Sequence, residues 1–216
     1  MAVRNVVFDM GQVLLRFDGM LFARIFTEGE EDATLLDRAL FSSPTWALLD
    51  AGVVDEATME RVARASLPRR LWDSLHDALR DWDLHQPAIP ETNALVERIH
   101  GAGLGLYLLS NAGLRFERAH RRIPTWDLFD GWVVSAFERL MKPDARIYAL
   151  LCDRYELDPA TCLFVDDNPN NVRGAEAAGM QGHLFEGADG LERDLRERDA
   201  WPEGAGVPPR SRRGLS

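Results

Sequence analysis

Lysine is almost missing from this sequence of 216 residues: of its 25 basic side chains, 24 are arginine and one, Lys142, is lysine. A chain so consistent in choosing arginine keeps a lysine where a compact ammonium is required, as between a phosphate and a carboxylate where a planar guanidinium is too large. Cysteine is scarce too. Cys152 and Cys162 lack a framework spacing, fall in an apolar helical stretch and an apolar strand, and read as small core residues in a reducing compartment. Positive charge is in deficit, with a formal net charge of -10. That balance excludes a nucleic-acid or anionic-membrane surface, since both are bound through clustered cations. No run reaches the roughly 18 apolar residues that span a bilayer, and the first residues lack the order of a secretory leader. The expectation is a cytoplasmic protein that acts on a small molecule.

What the chain has in quantity is apolar surface, at 46% hydrophobic residues, enough for a packed interior. Short β-type runs recur at Val3 to Phe8, Leu104 to Leu109, Trp132 to Ser135, Leu163 to Val165 and, more weakly, Gly182 to Phe185. Helical stretches separate them, including one from Glu91 to Ala102. Apolar strands alternating with helices predict a doubly wound α/β fold with a parallel sheet, whose ligands sit at the strand C-terminal ends. Residues 18–87 are too long for a simple crossover. Leu35, Leu36, Ala39 and Leu40, then Met59, Val62, Ala63 and Ser66, follow helical spacing and predict an all-helical inserted domain. The division expected is a core of 1–17 and 88–200, the insert, and a solvated tail of 201–216.

Three strands end on residues suited to chemistry. Asp9 follows the first, where a carboxylate serves as a nucleophile, a metal ligand or a turn cap. Ser110 and Asn111 follow the second, and a hydroxyl with nearby N–H groups can hold an anionic oxygen. The fourth ends in Asp166 and Asp167. Adjacent acids there repel one another, which a hard divalent cation such as magnesium relieves; Asp167 or Asn168 can equally cap the helix that follows. Lys142 precedes another helix, with Pro143 and Asp144 placed in its first turn.

In this order the four elements resemble the haloacid dehalogenase superfamily, over residues 3–17 and 89–186. That family has a Rossmann-like core and consists mostly of phosphatases and phosphotransferases. The insert is similar to its helical cap of the first type. The stretches at Asp9-x-Gly11, Asp166-Asp167-Asn168 and 50–58 are similar to the branch that holds a bacterial glucose-1-phosphate phosphatase. The resemblance implies a magnesium-dependent phosphatase for a small phosphorylated metabolite, a sugar phosphate being one such compound. It implies Asp9 as nucleophile, Ser110, Asn111 and Lys142 as phosphate-binding, and Asp9, Gly11 through its carbonyl, and Asp167 as metal ligands. Gln12, Asp166 and Asn171 support that site.

Gly11 departs from the family pattern, which places a second aspartate there to protonate the leaving oxygen and activate water. General acid–base help is worth about 10² to 10⁴ in rate, so good leaving groups are expected to react fastest. A flat dependence would point to a carboxylate of the insert, Asp50 or Glu56. Two alternatives stand beside the phosphatase: a metal-independent dehalogenase, and a binding protein that has lost turnover. Trp46 and Trp72 in the insert are read as core rather than pocket.

Overall fold

The computed structural model describes residues 2–201. Five strands, β1 (Asn5–Phe8), β2 (Gly105–Ser110), β3 (Gly131–Val134), β4 (Cys162–Asp166) and β5 (Gln181–Leu184), form one parallel sheet in the order β3-β2-β1-β4-β5. Between β1 and β2 lie α1 (Gly19–Ile25), α2 (Glu30–Ala39), α3 (Pro44–Asp50), α4 (Glu56–Ser66), α5 (Trp72–Asp81) and α6 (Pro90–Gly101). Further along come α7 (Phe116–Ala119), α8 (Ser135–Glu138), α9 (Ala145–Tyr155), α10 (Pro169–Ala177) and α11 (Ala188–Glu197).

The central strands β1, β2 and β4 are mostly buried apolar runs because both faces of the sheet are covered, whereas β5 at the sheet edge is only partly buried. Val6 and Phe8 pack with Leu95, Val96 and Ile99 of α6 and with Leu191 and Leu195 of α11. Val7 and Phe164 face the other way, toward Ile147, Tyr148 and Leu151 of α9 and Ala175 of α10. Cys152 and Cys162 are buried, unpaired thiols in that second layer. Strand boundaries shift by one or two residues from expectation, and Ser110 and Asp166 prove to be strand residues. Trp201 corrects the expected tail: it is buried in the core beneath the guanidinium groups of Arg98 and Arg196, 5.3 and 5.6 Å from its ring centroid. Residues 202–216 lie outside the described residues.

The insert has an apolar core of its own. Its centre is a cluster of five rings, Phe17, Phe22, Phe41, Trp46 and Trp82, whose contacting pairs have centroids 5.2 to 6.3 Å apart. Leu36, Ala39, Leu40, Met59 and Ala63 are buried as their spacing predicts, and Leu35 is half-buried. Val62 and Ser66 are exposed instead, because α4 turns only a narrow stripe inward. Asp18, Ser43 and Asp55 cap α1, α3 and α4 by accepting the N–H groups of Leu21, Thr45 and Thr58. The chain leaves and re-enters the core along paired segments, with Arg16 N–H donating to Pro87 carbonyl at 2.8 Å and Ile89 N–H to Leu14 carbonyl at 2.9 Å.

Candidate active site

Strand register puts the chemistry side by side. Phe8 pairs with Leu108 on one flank and Val165 on the other, so the residues just beyond, Asp9 and Asp166, emerge together at the C-terminal edge of the sheet. Lys142 joins them: its Nζ lies 2.8 Å from Asp9 Oδ1 and 2.7 Å from Asp166 Oδ2, and its side chain is 1% exposed. The lysine is held by its backbone. Asn111 accepts Lys142 N–H at 2.9 Å and donates to Lys142 carbonyl at 3.0 Å. Both ends of the Asn111 side chain thus serve the loop that carries Lys142, and the residue also lines the cavity over Asp9. The helix start is corrected, because Asp144 is the N-cap of α9 and not part of its first turn.

Asp166 is fully buried and fully engaged. Besides Lys142 it accepts Asn168 N–H at 2.8 Å and the Asn171 amide at 3.1 and 3.0 Å. Asn168 caps α10 by accepting Asn170 N–H at 2.9 Å, which settles the capping alternative in its favour and leaves Asp167 exposed at the cavity. Carboxylate oxygens of Asp9, Asp166 and Asp167 lie within 4.8 Å of one another. Burial raises the Asp9 carboxyl above its ordinary range, as does the Asp166 charge, against the pull of Lys142. Burial and Asp166 raise Asp167 likewise. Three carboxylates thus share one ammonium. The donors are hard oxygens, and with Asp166 taken up by neutral donors and Lys142, Asp9 and Asp167 are the pair that fits a small divalent cation.

A cavity of about 330 Å³ opens over these groups and is lined by Asp9, Gly11, Gln12, Ser110, Lys142 and Asp167 at its base. Four rings also line it, Phe17, Trp46, Trp82 and Phe116. Trp46 therefore belongs to both core and cavity, whereas Trp72 lies under Arg64 and Arg69, 5.1 and 5.4 Å from its ring centroid. Gln12 sits at a φ of 57° and donates its amide to Phe17 carbonyl at 2.9 Å, so it holds the loop. Gly11 does not have a left-handed φ, and a Cβ there would meet only Asp9 Oδ2, at 3.9 Å. The position has room for a side chain.

The two carboxylates of the insert part ways. Glu56 pairs with Arg115, whose Nε is 2.7 Å from Oε1, and lines a different cavity. Asp50 lines the cavity over Asp9. Burial first, then the Asp9 charge, push its carboxyl up to about 7, against favourable interactions with the Gly113 backbone and the Trp46 side chain. Gln86 escaped sequence reasoning. It is 1% exposed, lines the cavity, and its Oε1 has no hydrogen-bond partner among the described residues. A lone glutamine in a helical insert carries no signal of its own.

A consequence for stability follows from Asp50. A carboxyl whose folded pKa exceeds its unfolded value holds its proton more tightly when folded, so its contribution to stability is full below about pH 4, falls as pH rises towards 7 and stays lost above that. Asp50→Asn is expected to exceed the parent in urea-unfolding stability at pH 8 by on the order of 2 kcal/mol. The gap should be constant above about pH 7, narrow steadily between 7 and 4 and vanish below about 4; a variant less stable than the parent at pH 8 would contradict this.

A family model for haloacid dehalogenase-like hydrolases matches residues 3–179. The chain belongs to this family. Among its relatives, a phosphatase of Mycobacterium tuberculosis is 28% identical over 95% of this chain and 100% of its own length. A sesquiterpene phosphatase of Aspergillus oryzae is 26% identical over 84% of this chain and 89% of its own. A haloacid dehalogenase-family enzyme of Bacteroides thetaiotaomicron, solved with magnesium, shares the fold at a TM-score of 0.69 and 17% identity, covering 91% of this chain and 100% of that one. Haloacid dehalogenases of Pseudomonas and Xanthobacter autotrophicus are similar to this chain as well. The hydrolase is thus α/β with a Rossmann-like parallel sheet, and none of its described helices is long and apolar enough to cross a membrane.

Proposed function

We propose that this hydrolase is a magnesium-dependent phosphatase that cleaves a phosphate monoester of a small alcohol through a phosphorylated Asp9. The observation that carries the reading is the buried Lys142 between Asp9 and Asp166 with Asp167 free beside them. A dianionic phosphate entering such a site needs more positive charge than one ammonium. Asp9, Asp167 and the Gly11 carbonyl would hold the magnesium, which supplies that charge when bound. Asp9 attacks phosphorus, splitting one hard step into two. Ser110 and Lys142 hold the transferring phosphoryl oxygens, Asn111 and Asn171 position Lys142 and Asp166, and Gln12 shapes the loop after β1.

Residues 18–87 act as the cap, closing over the ester and contributing Trp46, Asp50, Trp82 and Gln86 to the cavity beside Phe17 and Phe116 of the core. The four rings favour an alcohol with an apolar body, and the sesquiterpene phosphatase relative fits that preference better than a sugar phosphate does. The protein works in the cytoplasm in this reading. Aryl, isoprenyl, sugar and nucleoside monophosphates should be compared in magnesium and again in excess chelator. Chelation is expected to lower turnover by at least about 10²-fold, with magnesium restoring it and the apolar esters preferred.

A second reading, displacement of halide from a 2-haloacid by Asp9, is favoured by one observation: halide leaves without a proton, and Gly11 supplies none. Undiminished turnover of a 2-haloacid in chelator, with no phosphate ester cleaved, would establish it. The free Asp167 beside Asp9 speaks against it, because that repulsion serves no purpose without a cation.

A further inference from the structure

We propose that Asp50, carried by the insert, donates the proton to the leaving oxygen and then activates water, taking the role that Gly11 leaves open; this assignment rests on the phosphatase reading. Asp50 ends α3 and faces the cavity that contains Asp9, Lys142 and Asp167. Two attachments to the core fix it there. Its carbonyl accepts the Ser135 hydroxyl, and that hydroxyl oxygen in turn accepts Ala112 N–H at 3.0 Å. Two residues on, Gly52 has a φ of 65° and approaches α8 so closely that a Cβ would lie 2.5 Å from Ala136 carbonyl oxygen. The insert is therefore seated against α8 and, through Ser135, against the segment after β2, which begins at Asn111.

The other acids of the region are committed. Asp9 is the nucleophile, Asp167 is the exposed oxygen donor, Asp166 is saturated, and Glu56 is paired with Arg115. With Asp167 reserved as an oxygen donor to the cation, Asp50 is the remaining acid on the cavity wall whose carboxyl pairs with no cationic side chain among the described residues. Its proton affinity near neutrality suits a group that must give and take a proton in one cycle.

In the first step an Asp9 oxygen bonds to phosphorus and the bond from phosphorus to the ester oxygen breaks. The electron pair stays on that oxygen, which takes the Asp50 proton and departs as the alcohol. In the second step the Asp50 carboxylate takes a proton from water as the water oxygen bonds to phosphorus. The bond from phosphorus to Asp9 breaks, which returns the Asp9 carboxylate and a protonated Asp50 and releases phosphate.

The test is kcat/KM in magnesium for phosphate esters graded by the acidity of the leaving alcohol, from acidic phenols to primary alcohols. The parent should show a shallow dependence. Asp50→Asn should lose roughly 10² to 10⁴-fold on alkyl esters and less than tenfold on the most acidic aryl ester, whose turnover also reports an intact fold. Adding Gly11→Asp to that variant places a carboxyl where there is space beside Asp9, and should recover alkyl turnover. Equal loss on every ester, or a steep parent dependence that Asp50→Asn leaves unchanged, would overturn the assignment. No parent turnover of any ester would overturn the phosphatase reading itself.

Discussion

Asp9→Asn is expected to fold as the parent does and to lose roughly 10⁴-fold or more in kcat, since removing an attacking group outright has effects of that size. The amide fills the same space, and Asp9 is a group whose ionisation burial already opposes, so taking its charge away does not cost stability. Lys142 keeps Asp166 as its partner at 2.7 Å. What disappears is the anionic oxygen that bonds to phosphorus and one of the two carboxylates that would hold the cation. Steady-state rates beside urea unfolding check both halves. Turnover within tenfold of the parent would remove Asp9 from the chemistry.

Lys142 should be nearly as sensitive, and in two separable ways. Lys142→Arg keeps the charge but not the shape. The ammonium sits with 1% exposure between two carboxylates and 5.3 Å above the Phe164 ring centroid, and a guanidinium cannot enter that space without displacing one of them. A loss of about 10² to 10³-fold is expected from misplaced charge at the developing oxyanion. Lys142→Met fits but leaves Asp9 and Asp166 without a counter-charge. Removing one partner of a buried ion pair costs about 3–5 kcal/mol, and this loss should shrink on acidification as the carboxylates take up protons. If Lys142→Arg were within twofold of the parent, the lone lysine would be an accident of composition.

The solitary lysine was legible because its rarity is a property of the sequence, and so were Asp9, Ser110 and the Asp166-Asp167 pair, each marked by the end of a buried apolar run. Strand order and register then follow from parallel pairing that those runs allow, and they bring the groups together. What the Asn111 side chain holds was not legible. An asparagine after a strand reads as an anion binder, and only its two hydrogen bonds to the Lys142 backbone show what it holds. Which insert acid faces the site was equally hidden: Asp50 and Glu56 are six positions apart on either side of a turn, and Arg115, distant in sequence, takes Glu56 away. The aromatic wall was half legible. Trp46 and Trp72 looked alike as core residues, but the packing of Phe17 and Trp82 against Trp46 alone makes it a wall of the cavity.

The central claim is that Asp9 bonds to phosphorus, and the most direct measurement is a rapid quench of the magnesium-loaded enzyme during turnover of its best phosphate ester. Borohydride then reduces any acyl phosphate to the alcohol, and mass spectrometry of the peptide containing Asp9 reads the outcome. The account predicts reduction at Asp9 that appears with turnover and is absent without substrate. An unmodified Asp9 peptide at every quench time while ester is being consumed, or an acyl phosphate found on another residue, would contradict it.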